Sequence, residues 1–151
     1  MTLKSRSLLF SFSVIFEILL TANFAFADLR DFDAFAFRQN QIQNQVVLLD
    51  FNASWCPICR VQKPALEAVL EEESIRKRNI KAYLVDFSKA GVLKKRFSVE
   101  TQATLIIFVG NREVGRIHGI VKKGDLKNRL EGILKTLDHD KYGTESDDSD
   151  S

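Results

Sequence analysis

The sequence predicts an α/β domain in which a parallel crossover is followed by an antiparallel pair, one mixed β-sheet flanked by helices. Three observations carry this. Val46 to Phe51 and Tyr83 to Val85 are short apolar runs of the kind buried on both faces of a parallel sheet. Between them lies a stretch with apolar residues at helical spacing. A third strand-like run, Thr104 to Val109, ends on Gly110-Asn111, a hairpin signal, so Glu113 to Ile117 can return antiparallel.

Taken in order, Asp31 to about Gln43 is expected to be a helix. Phe32, Phe35 and Ala36 form its inner face, and Phe37 falls off the pattern. No strand is evident before it. After the Val46 strand, a helix should run from just beyond Cys56 to about Glu73, with Val61, Leu66, Val69 and Leu70 turned inward. The Tyr83 strand leads to a helix near Val92 to Phe97. Beyond the hairpin, a last helix spans Lys123 to about Leu137, striped by Leu126, Leu130, Ile133, Leu134 and Leu137. The order is helix, strand, helix, strand, helix, hairpin, helix.

At 151 residues and 45% hydrophobic, the chain can bury one core of ordinary size. Neither an internal repeat nor a Pro/Gly-rich linker divides residues 28–137, which read as one unit.

Residues 1–27 have the pattern of an export signal. Lys4 and Arg6 make a basic start, and an apolar run extends from Leu8 to Leu20. Ala25-Phe26-Ala27 then supplies a small-x-small cleavage site, giving a mature start at Asp28. The rival reading is an uncleaved membrane anchor over residues 8–27. Glu17 and Asn23 interrupt that stretch, and a spanning helix wants ~20 mostly apolar residues. With cleavage, the protein is periplasmic or secreted and not integral to a membrane.

The net charge of +2 hides an asymmetry. Residues 28–137 carry 19 Lys and Arg against 13 Asp and Glu, whereas residues 138–151 carry six acids and one Lys. The end of the chain, lacking apolar anchors, is expected to be an acidic disordered tail. The basic surplus is scattered and has no interleaved aromatics, so nucleic-acid binding is not indicated.

Two cysteines are too few for a disulfide scaffold, and their placement matters more than their number. Trp55-Cys56-Pro57-Ile58-Cys59 lies where a strand hands over to a helix. Cys56 therefore falls at or next to the N-cap, facing unpaired backbone N–H groups and the positive end of the helix dipole. Both favour thiolate over thiol, which makes Cys56 the attacking sulfur. Pro57 fits the first helical position, where a missing N–H costs nothing. Cys59, one turn on and better shielded, can resolve a mixed disulfide. A zinc site would need four ligands, and only His118 and His139 remain as soft ones, at no finger-like spacing. A purely structural disulfide over so short a loop would stabilise little. Asp50, a carboxylate at the end of a buried apolar run, should have its pKa raised by burial, unless it faces solvent at the strand end.

From Leu49 through Cys56 the chain resembles the thioredoxin family, and the likeness extends well beyond the cysteines. Pro64 matches the proline in the family's active-site helix, and Phe97-Ser98-Val99 with Ala103-Thr104-Leu105 matches the approach to its substrate-facing loop. Gly119 and Lys123 to Lys127 match its closing glycine and final helix. The resemblance covers roughly Asp31 to Leu137. It implies a thioredoxin fold and a catalytic set of Cys56, Cys59 and Asp50, the last relaying the proton of Cys59. It also implies a substrate-binding surface of Trp55, Pro57, Gln102, Ala103 and Thr104. No cofactor beyond the dithiol and no bound metal is implied. The partners would be cysteine-containing proteins and, outside the cytosol, a membrane redox protein that recharges the pair.

Two departures stand out. Pro57-Ile58 replaces the family's Gly-Pro between the cysteines. Ala103 stands where the family carries a cis-proline. A cis bond before Ala costs ~2.5–4 kcal/mol, so a trans or strained bond is expected here. The resulting expectation is a thiol–disulfide oxidoreductase acting outside the cytosol, reducing or exchanging protein disulfides. The alternative is a redox-inactive or metal- or cluster-holding module that keeps the fold and has lost catalysis with the proline.

Overall fold

A computed structural model of the chain describes residues 29–142; the expected export segment and the end of the acidic tail lie outside them. Among these residues, five strands form one mixed sheet: β1 (Leu29–Asp31), β2 (Val46–Asn52), β3 (Lys81–Asp86), β4 (Thr104–Val109) and β5 (Arg112–His118). Their order is β1-β3-β2-β4-β5. β3 runs parallel to both β1 and β2, and β4 runs antiparallel to both β2 and β5. The expected crossover and hairpin are both present. Among the described residues, five helices accompany the sheet: α1 (Ala34–Ile42), α2 (Pro57–Leu70), α3 (Glu73–Arg76), α4 (Gly91–Arg96) and α5 (Lys123–Tyr142).

The alternation of side chains along β2 divides the interior. Leu48 faces one layer, with Leu66, Val69 and Leu70 of α2 and Leu126, Leu130 and Leu134 of α5. Val47, Leu49 and Phe51 face the other, with Phe37 of α1 and the residues around α4. Asp50 lies opposite Leu105, a member of the first layer, so its carboxylate points beneath α2 and α5.

Several expectations are corrected. A first strand exists: Leu29 to Asp31 pairs with Ala82 to Leu84, but three residues are too few to show a pattern. The first helix begins at Ala34, because the Asp33 side chain caps it by accepting from the Ala36 amide at 2.6 Å. Phe32 therefore precedes the helix. The buried face follows Phe37 and Gln41, whereas Phe35 is 72% exposed. In α2 the buried stripe is Cys59, Gln62, Leu66, Val69 and Leu70, which turns Val61 to solvent.

That helix also stops at Leu70, three residues early. Glu71-Glu72-Glu73 would set carboxylates against the negative helix end. Glu72 instead precedes α3 and pairs with Lys123 at 2.5 Å and Lys127 at 3.4 Å in the first turns of α5. α5 runs five residues past Leu137, through Tyr142, so the first residues of the expected tail are helical. Its approach to the sheet needs Gly115, where a Cβ would lie 2.6 Å from Ile133. Among the described residues no helix is long and apolar enough to cross a membrane.

Candidate active site

The strand–helix junction after β2 brings the two sulfurs together. Cys56 and Cys59 are joined in a disulfide with their Cα atoms 5.3 Å apart. Cys56 is the N-cap of α2 in extended conformation, and its sulfur accepts a hydrogen bond from the Cys59 amide at 3.1 Å. Pro57 occupies the first helical position, as its spacing requires. Both cysteines are buried in this oxidised form, packed with Ala53 and Ala103.

Around them the surface is apolar and open. Trp55 is 60% exposed, and Ile58 and Val61 are exposed on the first turns of α2. The indole of Trp55 is held by its Nε1–H, which donates to the Ser88 hydroxyl at 3.1 Å. Ser88 in turn donates its amide to Asp86 Oδ1 at 2.9 Å.

The Gln102-Ala103-Thr104 segment forms the other side. No peptide bond among the described residues is cis, and Ala103 has φ +59°, a left-handed conformation that costs a non-glycine residue roughly 1–2 kcal/mol. The surroundings hold it there: its amide donates to Phe51 O at 2.9 Å and its carbonyl accepts from the Gly119 amide at 3.0 Å. Thr104 is buried and donates its hydroxyl hydrogen to Thr101 O at 2.8 Å. The same oxygen is 3.2 Å from His118 Nδ1, and can only accept there, so the hydrogen sits on that nitrogen. His118 thus braces the loop. Gln62 ties α2 to the segment after β5, its Nε2–H donating to Ile120 O at 3.2 Å.

Asp50 is fully buried, and neither carboxylate oxygen has a hydrogen-bond partner. Burial pushes its pKa up to about 7, with the Asn52 amide and Lys63 pulling it down and Glu67 pushing it further up. Lys63 and Glu67 follow Cys59 at intervals of four, so one stripe of α2 carries the resolving cysteine and both charges that act on Asp50. Asn52 shares Asp50's face of β2. The sequence reading passed over Asn52, Lys63 and Gln62. The spacings i+2 from Asp50, i+4 from Cys59 and i+3 from Cys59 were the signals that could have found them. Among the described residues, no three His, Cys, Asp or Glu side chains are grouped to hold a metal ion.

Comparison with known proteins agrees with this geometry. The family model for thioredoxin matches residues 30–132. A thioredoxin of Porphyra purpurea is 30% identical over 96 residues, covering 63% of this chain and 87% of the relative. A bifunctional thioredoxin reductase/thioredoxin of Mycobacterium leprae is 30% identical over 105 residues, or 70% of this chain, which spans only 22% of that longer protein. The crystal structure of Trxlp from Edwardsiella tarda superposes with a TM-score of 0.62 at 28% identity, covering 67% of this chain and 96% of its own.

Proposed function

The chain belongs to the thioredoxin family and is a thiol–disulfide oxidoreductase, and from that premise we propose that it reduces or exchanges disulfides of cysteine-containing proteins outside the cytosol. The observation that carries this reading is the Cys56–Cys59 disulfide at the N-terminus of α2, with Asp50 buried under the same helix.

In the reducing direction, the Cys56 thiolate attacks one sulfur of a substrate disulfide and releases the other as a thiolate. The cap amides and the helix dipole stabilise that attacking thiolate. Asp50 then accepts the proton of Cys59. The Cys59 thiolate attacks Cys56 Sγ, forms the internal disulfide and frees the substrate's second thiol. The substrate gains two electrons and two protons, and the dithiol loses them. A membrane-bound dithiol donor, by this proposal, returns the electrons. The exposed face of Trp55, Ile58 and Val61, with the Gln102-Ala103 backbone opposite, supports docking of a polypeptide segment.

Export and the direction of electron flow are tested together. Fractionation of cells making the full chain should find it outside the cytosol, shortened by the signal; a cytosolic, full-length protein overturns the export part. Equilibration of the purified protein in glutathione buffers should give a potential near thioredoxin's ~−270 mV. A value near ~−120 mV, that of the strong oxidants, would make it a disulfide donor instead. If no reversible dithiol–disulfide transition occurs, the reading gives way to that of a redox-inactive binding module.

A further inference from the structure

The segment from Phe97 to Ala103 joins α4 to β4 without regular secondary structure, and it ends against the dithiol, where Ala103 packs with Cys56 and Cys59. Two of its residues, Ser98 at φ +51° and Ala103 at φ +59°, hold left-handed conformations that non-glycine residues rarely adopt. The amides of Glu100, Thr101 and Gln102 donate to no backbone carbonyl among the described residues. A segment so strained and so lightly bonded keeps its shape only where its surroundings fix it.

β5 supplies that fixing. Arg116 and His118 are two residues apart and so share a face of the strand, with buried Ile117 turned the other way. The Arg116 guanidinium donates from Nη2 to Phe97 O at 2.7 Å and from Nη1 to Ser98 O at 3.1 Å, and Glu113 holds it at 2.9 and 3.0 Å. His118 lies opposite Thr104 in the ladder, with Nδ1 3.2 Å from the Thr104 hydroxyl oxygen and 3.4 Å from that of Thr101. The Thr104 hydroxyl hydrogen goes to Thr101 O at 2.8 Å. Ring, hydroxyl and carbonyl thus form a directed chain that closes the turn from Thr101 to Thr104. Gln102 and Ala103 lie inside that turn. One strand face grips the segment at its start and at its end.

We propose that Arg116 and His118 are positioning residues for disulfide exchange, holding the 97–103 segment where a client polypeptide must lie to reach Cys56. Together they take over the stiffness that a proline at position 103, with its fixed φ, would supply. This rests on the reading of the Gln102-Ala103 backbone as the docking side of the dithiol. Both residues act through the segment, and the bonds made and broken remain those between sulfurs. Their effect therefore depends on the size of the disulfide. A polypeptide that lies along the segment feels a shift in it, and a small disulfide that meets only the sulfurs does not.

The test follows the fluorescence of Trp55, the chain's single tryptophan, while the reduced full chain is oxidised by insulin or by bis(2-hydroxyethyl) disulfide. His118→Phe and Arg116→Lys should each slow oxidation by insulin about fivefold or more, the size of a lost hydrogen bond, and leave the small disulfide within about twofold. His118→Asn, whose amide can donate from where Nδ1 stands, should recover most of the loss. Thr104→Val should slow insulin as His118→Phe does, and combining the two should slow it no further. An insulin rate unmoved by His118→Phe or by Arg116→Lys overturns the proposal, as does His118→Asn no faster than His118→Phe. Equal losses with both disulfides, the signature of a disturbed dithiol, overturn it too, and so do losses that multiply in the double variant. Failure of the oxidoreductase reading shows separately, as a wild-type chain that neither disulfide oxidises. Nitrogen NMR of His118 then still decides the brace, which requires the neutral ring to carry its hydrogen on Nδ1 and to lose that preference in Thr104→Val.

Discussion

The sulfur of Cys56 accepts a hydrogen bond from the backbone amide of Cys59 at 3.1 Å, so one half of the dithiol caps the helix that carries the other half. Redox state and helix start are therefore one structural element. A thiolate at Cys56 is a stronger acceptor for that amide than a disulfide sulfur is.

Cys56→Ser keeps an oxygen acceptor at the cap and Cys56→Ala keeps none. Under reducing conditions, Cys56→Ala should unfold about 1 kcal/mol more easily than Cys56→Ser, measured by urea denaturation. Equal stabilities would show that the cap contributes nothing. In the same set, Cys59→Ser should accumulate covalent complexes with substrate through Cys56, visible on non-reducing gels, and Cys56→Ser should not.

Asp50 gives a signed prediction in pH. Unfolded, its carboxyl ionises near the ordinary 3.8; folded, it does so at about 7. Between these values the folded state holds a proton that the unfolded state has lost, so stability falls as pH rises through this window. Asp50→Asn removes the dependence. Its stability advantage over wild type should therefore grow between pH 4 and pH 8, to on the order of 4 kcal/mol at most. A constant difference across that range would show that Asp50 is not held protonated.

Ala103 predicts an unusual outcome for restoring the family's proline. Proline fixes φ near −65°, and this position has φ +59° with its amide bonded to Phe51 O. Ala103→Pro should cost roughly 2–4 kcal/mol of stability unless the whole loop rebuilds. Ala103→Gly should stay within about 1 kcal/mol of wild type, because relief of the left-handed strain offsets glycine's greater freedom when unfolded. Thermal unfolding of the two variants decides it: a proline variant as stable as wild type refutes the prediction.

Gly115 lies where β5 passes under α5. Gly115→Ala should destabilise by roughly 1–3 kcal/mol, since a Cβ 2.6 Å from Ile133 displaces a buried side chain. Pairing it with Ile133→Val should return part of that loss, and equal losses in single and double variants would place the strain elsewhere.

The crossover, the hairpin and the cysteine site were legible because their signals are local. Val46 to Phe51 and Thr104 to Val109 are dense apolar runs, and Pro57 between the cysteines marks a helix start whatever surrounds it. What escaped depends on contacts between elements. Leu29 to Asp31 is a strand only because β3 is beside it. Phe37 is the inward residue of its helix because Phe97 and Phe108 receive it, with ring centroids 6.1 and 6.0 Å away. Gln62 occupies an apolar stripe because Ile120 O waits across the gap. Asp50's burial was readable from its run. Its link to Lys63 was not, since that link crosses from strand to helix.

The two edges of the sheet bear on how such a protein keeps company with the chains it handles. Among the described residues β1 offers three, and β5 is lined with Arg112, Glu113, Arg116 and His118. Arg116 is also tied to Glu113 and to the carbonyls of Phe97 and Ser98, which covers part of that border. Short or charged borders resist templating by a stray strand. A client polypeptide with unpaired backbone thus finds little to zip onto along the flanks. Contact is channelled to the rim of the dithiol, where it ends when the disulfide exchange is complete.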